Sequence, residues 1–181
     1  MQLRAVLSVG IVLGLGTVGT LAAWSATTTT TSGTFTTGTV DLWLNDVNAT
    51  EVTPLSVPLG SALLPGQSAA VRIAVQSRGN VAANYTTRVR GSGAAGTAVQ
   101  LTVVVGGTIS GSTCTGTPAV TSMTLTGSDA SILGTRGPLA AGTGTEVLCL
   151  QIGLPVGASN ITQTATGSVV LTFEGTGVAS V

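Results

Sequence analysis

From residue 40 to residue 174 the apolar side chains keep falling on alternate positions. Val40, Leu42 and Leu44 share one face of the first such run. Val71, Ile73 and Val75 alternate with Arg72 and Gln76. Tyr85, Thr87 and Val89 alternate with Thr86, Arg88 and Arg90. The same pattern returns at Val99, Leu101, Val103 and Val105, at Leu148, Leu150 and Ile152, and at Val169, Leu171 and Phe173. An extended chain points successive side chains to opposite faces, so each run reads as a strand with one face on a core. Turn residues separate the runs, as at Leu64-Pro65-Gly66, Arg78-Gly79-Asn80, Gly91-Ser92-Gly93, Gly106-Gly107 and Arg136-Gly137-Pro138. After residue 24 no stretch keeps helical spacing over three turns. The expectation is an all-β, two-sheet antiparallel sandwich of about seven or eight strands, jelly-roll or immunoglobulin-like.

The first 23 residues obey a different rule. Met1 to Arg4 carries one positive charge, and Ala5 to Ala23 carries none. Ala22 and Ala23 offer small residues at a cleavage position, directly before Trp24. This is the pattern of an export signal, a helix when engaged, removed after residue 23. The competing reading keeps the apolar run as a membrane anchor, since it approaches the ~20 residues of a span. Its glycines and its Ala-rich end favour removal. A retained signal would be the chain's one link to a membrane. Residues 24–38 then read as an extended arm, whose Thr tract from Ala26 to Gly33 has no apolar face to bury. Residues 39–181 are long enough for one sandwich domain with one core.

Charge is scarce. Charged residues make up 7% of the chain, six positive against six negative, and there is no His. All the positive side chains are Arg. Nucleic-acid binding needs a basic stripe, which this chain lacks. Near-zero net charge removes the repulsion that keeps proteins apart and so favours self-association. Without His or Lys, the Ser-His-Asp, Cys-His, zinc-protease and Schiff-base chemistries have no bearer. Asp41, Asp46 and Glu51 lie close in sequence but fit no Ca²⁺-loop spacing, so they read as solvated carboxylates. No enzyme activity, cofactor or metal is expected. Cys114 and Cys149 make an even pair, which in an exported chain points to a disulfide. Two buried free thiols are the other reading.

Gly19-Thr20-Leu21-Ala22-Ala23-Trp24-Ser25, followed by Gly33-Thr34-Phe35-Thr36-Thr37-Gly38-Thr39-Val40-Asp41-Leu42, resembles a known export pattern. It is similar to the SipW-dependent (alternate-type) signal peptide and mature N-terminus of TasA- and camelysin (CalY)-like secreted proteins. Leu64-Pro65-Gly66-Gln67 with the strand after it, and Val169 to Glu174, agree more loosely. The chain departs from that family in having Ala26 where an Asp is usual, and in lacking Lys altogether. The resemblance implies a jelly-roll-like sandwich, a dedicated signal peptidase and a place in the extracellular matrix. The metalloendopeptidase activity attributed to some camelysin relatives does not carry over, because the metal ligands are missing.

Three functions from different classes follow. The first is a structural protein of the cell surface or biofilm matrix, a homo-oligomer or fibre built by strand addition. Phe35, Val40, Leu42 and Trp43 would be its assembly strand. Equally, Val40 to Leu44 could be the first strand of its own sandwich. The second is a monomeric adhesin or binding module, using loops at 106–118 and 134–145. An enzyme is the weakest of the three.

Overall fold

The computed structural model describes residues 38–48, 63–158 and 166–178. Among the described residues ten strands form, and every ladder between them is antiparallel. They are β1 (Leu42–Leu44), β2 (Ser68–Ser77), β3 (Ala83–Ser92), β4 (Gln100–Val105), β5 (Thr108–Ser110), β6 (Thr113–Thr115), β7 (Pro118–Thr124), β8 (Ala130–Leu139), β9 (Thr145–Gly153) and β10 (Ser168–Gly177). One sheet has five strands in the order β1-β2-β9-β4-β7, and a second has three in the order β10-β3-β8. β5 and β6 form a separate two-stranded hairpin. The architecture is the all-β sandwich that the alternation predicts.

The core lies between the two sheets and is filled by the residues that the period of two selects. Ile73 and Val75 from β2, Leu101 and Val103 from β4, and Leu148, Leu150 and Ile152 from β9 are all buried. Tyr85, Thr87 and Val89 from β3 face them, with Ile132, Leu133 and Leu139 from β8. Val169, Leu171 and Phe173 of β10 pack against the same cluster while staying half-buried.

Several local expectations change. Gly93–Ala98 is a six-residue α-helix, α1, where the sequence reads as a turn alone. Its Gly96 packs so close to β10 that an added Cβ would collide with the Ser168 carbonyl. That close approach of backbone requires glycine at this position. Arg136-Gly137-Pro138 does not end a strand; it sits inside β8, which absorbs it through three register shifts against β3. Gly137 takes φ +103, a conformation that suits glycine. The segments 106–118 and 134–145, expected as open ligand-binding loops, are largely strand. They hold the β5–β6 hairpin and the second half of β8.

Candidate functional site

The cysteines are bonded. The Cys114–Cys149 disulfide has an S–S distance of 2.06 Å and a Cα–Cα distance of 5.8 Å, and no free cysteine exists. It joins β6 of the small hairpin to β9, the central strand of the five-stranded sheet. Along β9 the side chains of Leu148, Leu150 and Ile152 face the core, so Cys149 faces outward. Yet Cys149 is 0% exposed, and Val104, outward on the neighbouring β4, is 2% exposed. The hairpin covers both. A Cβ on Gly107 would lie 2.7 Å from Val104 Cγ1, so glycine lets the hairpin backbone lie flat on that side chain. The Cys114 N–H donates to Gln151 Oε1 at 3.0 Å, and the Ser68 hydroxyl donates to the Ser112 carbonyl at 3.0 Å. The hairpin is thus a flap locked onto the outer face of the sheet. Its own outer face pairs hydroxyls across the strands: Thr108 and Thr115 oxygens lie 2.6 Å apart.

The sequence-chosen assembly residues divide. Leu42 and Trp43 lie in β1 and pair with Ser77 and Gln76 of β2. β1 is therefore the first strand of its own sandwich. Val40 precedes it and packs beside Gly175 and Gly177 of β10. Phe35 and the cleavage residues Ala22, Ala23 and Trp24 lie outside the described residues, as do the signal segment 1–23 and most of the arm 24–38. After β1 the chain turns through Asn45 and Asp46, at φ +50 and +62. Reciprocal backbone bonds of 2.9 Å join Leu44 and Val47 around them. That is a type I′ turn, and the Asn-Asp pair was its legible signal. Asp46 then accepts from Arg78 at 2.6 Å and from Gln76 Nε2 at 2.8 Å. The Arg78 guanidinium lies 5.7 Å from the Trp43 ring centre, and the Trp43 indole donates to Asp41 at 2.8 Å. These side chains are solvent-facing, so the ion pair adds little stability. Asp41 and Asp46 are committed to these partners, and Glu51 lies outside the described residues.

Sequence reasoning misses a polar clasp between the sheets. Tyr85 on β3 donates its hydroxyl to Glu146 Oε2 on β9 at 2.5 Å. Arg136 on β8 grips the same carboxylate with two donors, Nε at 3.0 Å and Nη2 on the other oxygen. Tyr85 is 1% exposed, so its hydroxyl needs a partner, and Glu146 supplies it. The Arg136 hydrogen bonds hold the Glu146 carboxyl below its usual range, against the opposing effect of desolvation. Burial, and then the bond to Glu146, push the Tyr85 phenol well above its usual range. Glu146 binds Arg136 and Tyr85 across 10 and 61 residues of chain, and neither spacing forms a motif.

The clasp makes stability depend on pH at both ends. Glu146 has a lowered folded pKa, so its contribution is complete above the unfolded value of about 4.3 and is lost as pH falls through the folded value. Tyr85 has a raised folded pKa, so stability falls as pH rises past about 10, where the unfolded chain ionises first. Glu146→Gln should flatten the acid limb and cost about 1.5–3 kcal/mol at neutral pH, the range for a hydrogen bond to a charged group. Denaturant unfolding at stepped pH measures both. Tyr85 is the single tyrosine. Tyrosinate absorbance therefore follows one group, which should resist ionisation until the fold is lost.

Among the described residues no three His, Cys, Asp or Glu side chains lie together as a metal site would need. Among them, too, no helix is long and apolar enough to cross a membrane. The arrangement gives covalent locking, inter-sheet clamping and a hydroxyl-covered surface. No protein-family model and no curated protein matches the chain.

Proposed function

We propose that this chain is a secreted structural protein of the cell surface or extracellular matrix, which works by associating with copies of itself. The observation that carries the reading is a charge-poor sandwich locked by a disulfide, in a chain whose first residues read as an export leader. Disulfides persist in oxidising compartments, which agrees with export. Once the leader takes Arg4 away, five Arg stand against six carboxylates, and a net charge of −1 leaves short-range contacts between copies almost unopposed. The alternate-type signal pattern adds a dedicated signal peptidase and a matrix setting, by resemblance alone. Because Leu42–Leu44 is used within the chain's own sheet, donation of a strand to a neighbour falls to residues upstream of Val40, with Phe35 as the anchor.

Sequencing the N-terminus of the secreted protein should find Trp24, or Ala23 by the plain small-residue rule. Recovery of Met1 on the extracellular form would sink the export reading. The mature protein should sediment as concentration-dependent oligomers. Deleting residues 24–38 should abolish arm-dependent polymers while circular dichroism keeps the strand signal, because β2 to β10 are untouched. Polymers that survive the deletion rule out donation by the arm. A mature chain that stays monomeric at high concentration points instead to a binding module.

A further inference from the structure

The edges of the two sheets are not alike. β1 is three residues long. β7 starts at a proline, carries two register shifts against β4 and holds Ser122 at φ +45. β8 carries three shifts, a proline and the inward Arg136. Short length, bulges, prolines and inward charges are the devices that stop edge strands from pairing with other chains. β10 has none of them. It matches β3 through ten consecutive residues without a shift, and no strand among the described residues pairs with its other side.

The hydrogen-bond phase of that edge can be fixed. Gly91 is the partner of Val169, but its N–H donates to Thr126 at 2.8 Å, away from β10. One step past the other end, the Val178 N–H donates to the Ala82 carbonyl at 2.8 Å. Antiparallel pairs alternate between bonded and non-bonded. So Val169, Leu171, Phe173, Gly175 and Gly177 turn their N–H and C=O groups away from β3, toward the edge that no strand among the described residues pairs with. Of these, Val169, Leu171 and Phe173 put half-buried apolar side chains on the core face, while Gly175 and Gly177 carry none.

We infer that β10 is a docking edge for the β10 of a second copy, antiparallel and centred on Thr172, so that two three-stranded sheets become one of six. A two-fold axis lets one open edge satisfy its own copy. Backbone bonding requires odd residues to face odd residues, and the side chains choose among the registers that allow it. Centring on Thr172 sets Leu171 against Phe173 of the second copy, twice by symmetry, and Thr172 against Thr172. Apolar–aromatic and Thr–Thr cross-strand pairs are favourable. Centring on Phe173 instead sets Leu171 and Val169 against glycines. Centring on Glu174 sets two carboxylates face to face, which is unfavourable. In the chosen register Glu174 meets Val170, and no like charges are opposed. The inference shares with the proposed function only the choice of a second copy as partner; it uses a different strand from the arm.

The test places one cysteine at a time on the outer face of β10 in the mature protein: Val170→Cys, Thr172→Cys and Glu174→Cys. Both native cysteines are already bonded, so each variant has one free thiol. Under mild oxidation, Thr172→Cys should form a covalent dimer at least tenfold faster than the other two. Deleting residues 24–38 should leave that rate unchanged, even where it abolishes arm-dependent polymers. Equal rates at the three positions, or a faster reaction at Glu174→Cys, would overturn the register. A chain that stays monomeric by light scattering, with no preference at Thr172→Cys, would overturn the docking edge itself. If arm-dependent polymers form without Thr172 cross-linking, self-association stands and this interface falls.

Discussion

Replacing Cys114 and Cys149 together by alanine is expected to lower the free energy of unfolding by about 3–4 kcal/mol. The bond closes a sequence separation of 35 residues. By the loop-entropy argument, freeing a loop of that size in the unfolded chain is worth about 3–4 kcal/mol. The loss should have a local part as well. The flap is otherwise held by the Cys114–Gln151 and Ser68–Ser112 hydrogen bonds and by its cover of Val104. Amides of residues 106–117 should therefore exchange faster than those of β9 beneath them. Denaturant unfolding of the oxidised protein and the double variant measures the global part. Hydrogen exchange measures the local one. Free-thiol labelling of the denatured, unreduced protein should find no thiol. An unchanged unfolding midpoint in the double variant would show that the flap holds itself in place.

Leu148→Ala is the second large effect, expected to destabilise by about 2–5 kcal/mol. Leu148 is 0% exposed and stands in the middle of the five-stranded sheet. Its register partners are Ile73 on β2 and Val105 on β4, so strands flank it on both sides. A cavity there has little room to collapse, because neighbouring backbones are fixed by their own ladders. Val156→Ala is the matched control. Val156 is 83% exposed, and its truncation should change stability by less than about 0.5 kcal/mol. A Leu148→Ala midpoint equal to that of the control would refute the placement of the core.

The alternation of apolar residues was enough to read the sandwich. Ile73, Val75, Tyr85, Thr87, Val89, Leu148, Leu150 and Ile152 are buried on the faces that their parity assigns. Parity says nothing, however, about what covers an outward face. Val104 reads as solvent-facing and is buried, because a hairpin from further along the chain folds over it. The helix Gly93–Ala98 covers fewer than two turns, too short to show a periodicity. Its glycines, usually breakers, are there for close packing instead. In β8 the Arg136-Gly137-Pro138 stretch carries turn residues, but the strand bulges around them and continues. The Tyr85–Glu146–Arg136 clasp depends on which strands become neighbours. A local reading cannot supply that, and strand order was left open by the sequence. The leader and most of the arm, which carry most of the resemblance to secreted matrix proteins, lie outside the described residues.

The flap bond also sets how the molecule would bear tension. A chain pulled along its length yields by peeling strands and paying out slack. Here the segment between Cys114 and Cys149, a separation of 35 residues, cannot be paid out while the sulfurs are joined. At ~3.5 Å per residue, that withholds roughly 120 Å of contour. Load arriving along the chain at Cys114 bypasses the bulged ladders of β7 and β8 and passes through the sulfur bridge into β9, which is hydrogen-bonded on both sides. If the chain plays the structural role proposed above, the bridge acts as a stop on extension, and the bulged edges β7 and β8 lie inside the protected length.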